Sequence, residues 1–555
     1  MTGALTFSRL EFLIYVVFSD QTQFPYPSLR MGTKITLHRI TLRFWPTRLG
    51  RPTLMVNLAD LLYTRFEQWG AVSDLDEALA LERNALELRS QEYPHRATSL
   101  GNIALYLYTR FQQLGILSDL DEALALERNA LGLRPQGHTD RALSLGNIAL
   151  YLYTRFERLG VLSDLDEALV LERNALELCP QEHPHRATSL GNLASSLHSR
   201  FEQLGTLSDL EEALSLERNA LVLRPQGHAD RALSLGNIAL YLYARFEQLG
   251  TLSDLDEALA IERDVLELHP QGHPHRATSL GNLARSLHSR FKQLGILSDL
   301  EEALALQRNV LELRPQGHSR RALSLGDTAL YLYTRFKQLG TLSDLDEALA
   351  LERSALELCP QGHPHRAATL GNLAGCLHSR FEQLGTLSDL EETLVLERNA
   401  LELRPQGHPD RALALSNLTA SLHSRFKQLG TLSDLEEALA LARNTLELRP
   451  QGHPHRATSL RMITSYLYAR FKHSTIHDIS DLQETFNLYS QLSDTSQTVS
   501  FAALECAKEW IRAAEEHKHT TTVLAYQTLL RFSVQHLATL PSLPQHLALF
   551  KQLMT

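Results

Sequence analysis

The sequence is poor in the residues that build catalytic and metal centres. Its 555 residues hold four cysteines, Cys179, Cys359, Cys376 and Cys506, with neither zinc-site spacing nor the density of a disulfide framework. That usage suits a reducing compartment and predicts a cytoplasmic chain. No Gly-Lys dipeptide occurs, so there is no phosphate-cradling loop, and neither His-Glu-x-x-His nor Gly-x-Ser-x-Gly is present. No catalytic residue, cofactor or metal ligand is assigned, and the chain is expected not to be an enzyme. Positive charge is also short. Fifty-four Lys and Arg face 64 Asp and Glu, a formal charge of −10, and no helix face carries a basic stripe, which argues against nucleic acid as a partner. Long apolar runs are missing too. Leu10 to Phe18 is too short to cross a bilayer and is broken by Glu11, and no small-x-small cleavage site follows it, so neither a membrane span nor a secretion signal is expected.

What the sequence has is a period. A Ser-Asp-Leu-acid marker recurs at Asp74, Asp119, Asp164, Asp209, Asp254, Asp299, Asp344, Asp389 and Asp434, always 45 residues apart, and an eroded copy stands at Asp481 after a two-residue insertion. A fixed period of this length predicts a solenoid, in which one unit cannot bury its apolar face alone and stacks on its neighbours.

One unit runs from Arg186 to Asp230. Ala187, Leu190, Leu193, Ala194, Leu197, Phe201 and Leu204 recur at steps of three and four, which predicts an amphipathic helix A ending at Gly205. Ser208-Asp209-Leu210-Glu211 has the pattern of a capping box and predicts the start of helix B there. That helix is expected to bury Leu210, Ala213, Leu214, Leu216, Ala220, Leu221 and Leu223, and to stop before Pro225, which lacks an amide donor. The arginine of each Arg-Phe pair, from Arg65 to Arg470, is expected to pair with the acids that open helix B. The result is an all-α fold, a right-handed α-solenoid of stacked helix pairs.

The spacing Leu193-Ala194-x-x-Leu197, then Ala213-Leu214-x-Leu216-x-x-x-Ala220-Leu221-x-Leu223-x-Pro225, resembles the tetratricopeptide repeat, lengthened between Leu197 and Ala213 and after Pro225. The Asn192-Leu193-Ala194 run and the His-Pro steps at His183, His273 and His363 resemble the long repeats of kinesin light chain. Near the C-terminus, Ala525 to Arg531 and Val534 to Leu547 are similar to the bridge that follows the repeats in fungal tetratricopeptide proteins ending in a caspase-like CHAT peptidase domain. The chain stops at Thr555, before such a domain would begin, so no catalytic residue is carried over.

The expected organisation is an irregular segment over 1–50, with strand-like alternation from Lys34 to Trp45, a solenoid of about nine repeats over 51–480, and a degenerate last repeat with a helical cap over 481–555. Helices are predicted over Ala502 to His517 and Thr522 to Leu540, before the breaker Pro541 to Pro544. The repeats alternate between a Leu-Tyr-Leu-Tyr and a Leu-His-Ser flavour.

The tetratricopeptide resemblance implies that helix A lines a concave groove for a peptide or protein partner. It places in that groove Asn102, Asn147, Asn192, Asn237, Asn282 and Asn372, at positions that hold a ligand backbone in related arrays, with Tyr108, Tyr153, Tyr243 and Tyr333, and His198, His288 and His378. For the asparagines the alternative is a bond to a neighbouring helix, and for the tyrosines it is inter-helix packing. The histidine pairs at 183/185, 273/275, 363/365 and 453/455 read as loop or cap residues and not as ligands. The leading function is a non-enzymatic interaction scaffold. The alternative is the regulatory arm of a caspase-like CHAT peptidase system. A cargo adaptor of the kinesin-light-chain kind is disfavoured because no heptad segment precedes the repeats.

Overall fold

The computed structural model describes residues 27–44, 51–89, 95–408, 410–451, 453, 455–473, 479–492 and 501–539. The expected features at Leu10 to Phe18 and Pro541 to Pro544 lie outside them, as does the bridge segment beyond 539. Among the described residues there are 23 helices and no strand, and consecutive helices pack as pairs. The chain divides into two units, Met1–Pro270 and Gln271–Thr555.

In the first unit the period becomes five helix pairs. Repeat 4 is representative, with helix A over Arg186–Leu204 and helix B over Leu207–Val222. Helix A ends because Gly205 takes a left-handed conformation, φ 68°, and its amide returns to the Phe201 carbonyl at 2.7 Å. Helix B opens differently from expectation. The residue ahead of it is Thr206, extended and without a side-chain cap, and the Asp209 amide bonds the Thr206 carbonyl at 3.0 Å. No capping box forms, because the helix already begins at Leu207 and leaves Ser208 inside its first turn, while Asp209 is engaged by Arg200, whose Nε and Nη2 donate to its two carboxylate oxygens at 2.7 and 2.8 Å. The expected ion pair of the Arg-Phe arginine is therefore present. It recurs from Arg65–Asp74 in repeat 1 to Arg470–Asp481 in the eroded copy.

Asp209 is nearly buried, with 8% of its side chain exposed. Arg200→Ala should therefore lower the stability of repeat 4 by about 1.5–3 kcal/mol, the usual worth of hydrogen bonds to a charged group. Arg200→Lys should recover only part, since an ammonium cannot make the two-pronged contact. Hydrogen exchange of the amides in Leu207–Val222 reads both.

The core is continuous between neighbouring repeats. Leu193, Ala194, Leu197 and Phe201 pack with Leu210, Ala213 and Leu214 of their own repeat, and with Ile238, Ala239 and Leu242 of the next. Leu204 and Leu223, expected inside, are 54% and 41% exposed. Each lies at a helix end where the chain turns outward, so the three-four rhythm overstates burial there. After helix B, Pro225 begins a turn in which the His228 amide bonds the Pro225 carbonyl at 3.0 Å. In the His-Pro loops His183 Nδ1 accepts from the His185 amide at 3.2 Å, the loop role expected of these pairs.

The N-terminal segment departs from expectation. Pro27–Phe44 is a helix and not a strand-like stretch. Its buried residues Ile35, His38 and Thr41 are spaced by three, so one side faces inward, and Ile35 joins Leu58 and Leu62 in the core. Arg39 Nε also bonds Glu77 Oε1 at 3.0 Å.

In the second unit the same helix pairs run from Arg276–Leu294 to Leu432–Glu447. The eroded repeat, Arg456–His473 and Ile479–Leu492, is followed by helices Phe501–Glu516 and Thr522–Thr539. Their core joins Leu460, Phe486 and Tyr489 to Leu504, Trp510 and Phe532.

Candidate partner-binding face

Helix A carries every residue that the sequence singled out, and the structure sorts them into layers. Four of the asparagines face the preceding helix B. Asn102 Nδ2 donates to Glu82 Oε1 at 3.5 Å and Asn237 Nδ2 to Glu217 Oε2 at 3.3 Å. Asn147 and Asn372 make hydrogen bonds that help hold down the pKa of Glu127 and Glu352. Asn282 Oδ1 accepts from Arg285 at 3.3 Å, and Asn192 is exposed. Four of the six thus satisfy a neighbouring helix.

Their partners form a row that sequence reasoning missed. Glu82, Glu127, Glu172 and Glu217 in the first unit, and Glu352 and Glu397 in the second, are buried. Repeat 6 has Gln307 at this position, donating to the Ser324 carbonyl at 3.3 Å. Burial raises the carboxyl pKa, to about 7 at Glu82, Glu172 and Glu397 and to about 8 at Glu352. Glu127 and Glu217 are raised for the same reason, with Arg134 at 3.4 Å and Arg224 at 3.6 Å opposing the shift. Glu172 and Glu352 have Cys179 and Cys359 at the matching arginine positions.

The tyrosines and histidines share one column, and most reach a hydroxyl on the next helix A. Tyr108 OH meets Thr154 Oγ1 at 3.3 Å, Tyr153 meets Ser199 at 3.0 Å, and Tyr333 meets Ser379 at 2.9 Å. His288 Nε2 lies 3.1 Å from Thr334 Oγ1, and His378 Nε2 3.0 Å from Ser424 Oγ. The rings also stack forward, Tyr108 on Tyr151 and His198 on Tyr241, each at 4.8 Å between centroids. Tyr243 OH donates to Glu247 at 2.8 Å. Apart from that bond, which lies within one helix, these contacts are inter-helix packing, the alternative weighed for the tyrosines. The histidines are buried or half-buried, and desolvation lowers their pKa, to about 4 at His288.

Above this layer, helix A exposes a different row. Leu105, Leu150 and Leu330 are 38%, 38% and 41% exposed, with Ser195 and Leu240 half-buried at the same position. In its last turn the exposed residues at this register are Glu67, Gln112, Glu157, Glu202 and Glu247 in the first unit and Lys292, Lys337, Glu382 and Lys427 in the second. The sequence signal for these was their position, four residues after the Tyr/His column.

Among the described residues no group of three or more His, Cys, Asp or Glu is placed to hold a metal, and no helix is long and apolar enough to cross a membrane.

Residues 276–319, one helix pair with its loop, match the tetratricopeptide repeat family. No curated protein matches the chain in sequence. Among solved structures, the human IFIT1 dimer with m7Gppp-AAAA is similar at 16% identity over 87% of this chain and 94% of that chain, TM-score 0.43. A Podosopora anserina protein assigned as a kinesin light chain, with nearly identical TPR-like repeats, shares 20% identity over 40% of this chain and 98% of that chain, TM-score 0.30. Yeast Tom70 shares 13% over 90% and 96% respectively, TM-score 0.33. At these identities and scores none of the three bears on partner or activity.

Proposed function

We propose that this array of tetratricopeptide-type repeats is a non-enzymatic scaffold that binds a protein or peptide partner along the groove presented by its A helices. The observation that carries this reading is the layering of helix A. The asparagine, tyrosine and histidine columns are mostly spent on contacts between repeats, while Leu105, Leu150 and Leu330 stand exposed above them at the same register. A leucine exposed at the same register in several repeats offers a partner equivalent contacts at each of them. The tyrosine and histidine residues are then the floor of the groove and Asn192 is its exposed amide. Four buried thiols, with Cys376 pushed up to about 12 by burial, support a cytoplasmic location.

The test uses a partner recovered from native cell extract and mapped by cross-linking. Changing Leu105, Leu150 and Leu330 together to Ser should weaken its binding at least tenfold, and far more than any single change. Circular dichroism should show unchanged helicity, since these side chains lie outside the core. Unchanged affinity in the folded triple variant would remove the helix-A face from the binding site. The similarity of Ala525 to Arg531, within helix Thr522–Thr539, to the bridge of CHAT peptidase proteins supports a second reading, a regulatory arm of such a system. A caspase-like peptidase as the cross-linked partner would favour it.

A further inference from the structure

Repeats this alike can dock one place out of register, or exchange with those of a second chain. Within each unit, helix B meets the helix A of the next repeat through the glutamate row and the asparagine column, so one residue from each side makes a joint. By sequence there are nine such pairs, from Glu82 with Asn102 to Ala442 with Met462, and seven of them are glutamate with asparagine. The other two are not, and in both the two sides have changed together.

At the joint of repeats 6 and 7 the acid and the amide have traded places. Helix B, Leu297–Leu313, brings Gln307, which is 1% exposed, and the following helix A, Arg321–Leu339, brings Asp327, which is half-buried. Gln307 Nε2 donates to Asp327 Oδ2 at 3.4 Å, the mirror of Asn102 Nδ2 donating to Glu82 Oε1 at 3.5 Å. At the joint of repeats 9 and 10 both polar groups are gone. Ala442 lies in an apolar cluster with Leu439 and Leu467, and Met462 packs against it.

Each of these joints rejects the common half. A glutamate docked where Gln307 belongs would face Asp327 acid to acid, with no donor between the two unless one takes up a proton. Asp327 already has one acid near it, since burial first and then Asp327 push the Glu352 carboxyl up to about 8. A glutamate docked on Met462 would be buried without its amide, and an asparagine docked on Ala442 would have nothing to bond.

We infer that the Gln307–Asp327 and Ala442–Met462 joints are register keys, which fix the order of stacking among near-identical repeats and bar the exchange of repeats with a second copy of the chain. Their effect lies in the cost of the wrong pairing and not in the strength of the right one, because Glu–Asn and Gln–Asp offer the same hydrogen bond. A trade of acid for amide on both sides at once keeps the bond and changes only which half it accepts.

The test converts the first key to the common pair with Gln307→Glu and Asp327→Asn together. Full-length chains are unfolded in urea and refolded over a range of protein concentrations at pH 8.5, above the pKa of about 7 to 8 that burial gives acids of this row. Size-exclusion chromatography with light scattering then separates chains that regain their starting size from misassembled ones. The double variant should keep the parent's Tm, yet leave at least three times as much misassembled material, increasing with concentration. Gln307→Glu alone should lower the Tm by about 3 °C or more, and adding Asp327→Asn should restore it. If the double variant is unfolded from the start, Glu352→Gln with Asn372→Asp takes its place. That pair copies the key to the next joint, so that adjacent joints accept each other's halves, and the same excess of misassembly is expected. Misassembly equal to the parent's in the folded variant, or an unchanged Tm in Gln307→Glu, would overturn the inference.

Discussion

Replacing Leu197 with alanine is expected to cost about 2–5 kcal/mol, the range for a fully buried leucine whose cavity cannot collapse. Leu197 is 0% exposed and shares a core with Leu210 and Leu214 of its own repeat and with Ile238 and Leu242 of the next. Since repeats couple to their neighbours, the loss should not spread evenly. By hydrogen exchange, amides in Arg186–Val222 should open most, those in the flanking helices Leu162–Glu177 and Arg231–Leu249 next, and those of Arg51–Leu88 least. Leu204→Ala, at a site 54% exposed, should stay within about 0.5 kcal/mol. An even rise across residues 51–268, or equal effects of the two alanines, would count against this account.

The contrast between Leu197 and Leu204 shows what the sequence discloses. The 45-residue period, the two helices per repeat, the glycine that ends helix A and the Arg–Asp pair were all legible, because each rests on local spacing that repeats many times. Burial at helix ends was not. The three-four rhythm marks a face but says nothing of where the neighbour stops covering it. The Ser-Asp-Leu-Glu motif misled for a related reason. Its Ser208 and Glu211 fit a capping box locally, but the helix begins one residue earlier, at Leu207, so Ser208 is not the residue ahead of it. At the N-terminus the buried set Ile35, His38 and Thr41 includes two polar residues, so its apolar periodicity was too weak to reveal a helix.

For the site, the columns were found but their purpose was only partly read. Tyr153 or His288 looks like a ligand contact until the hydroxyl one repeat later is seen to take its hydrogen bond. Glu217, between Leu216 and Arg218, looks like a surface acid. It is buried beside Gly191 across the helix pair and takes a hydrogen bond from Asn237 of the next repeat. Only the coincidence of a glycine, a glutamate and an asparagine at one recurrent register could have announced it.

That buried row sets the pH dependence. Glu172 and Glu397 have their pKa raised to about 7 and Glu352 to about 8, from 4.5, chiefly by burial. The folded chain keeps these protons while the unfolded chain releases them. Their contribution is therefore complete below about 4.5, declines as pH rises, and is gone above about 8. Each pKa unit corresponds to about 1.4 kcal/mol, so three such groups matter on the scale of a repeat. The buried histidines act in the opposite sense. With pKa lowered to about 4 at His288 and His423, they stabilise fully above the ordinary value of 6.5 and lose that contribution as pH falls toward 4. The two slopes oppose each other between about 4.5 and 6.5, and above 6.5 only the carboxyls act. Thermal unfolding should thus show a Tm that varies little across the lower window and drops between pH 6.5 and 8.5. Glu172→Gln, Glu352→Gln and Glu397→Gln together should flatten that drop, because Gln307 shows that an amide fits the position with a partner on the next helix A. A folded triple variant whose Tm falls as steeply as the parent's would acquit the buried glutamates and place the pH sensitivity elsewhere in the chain.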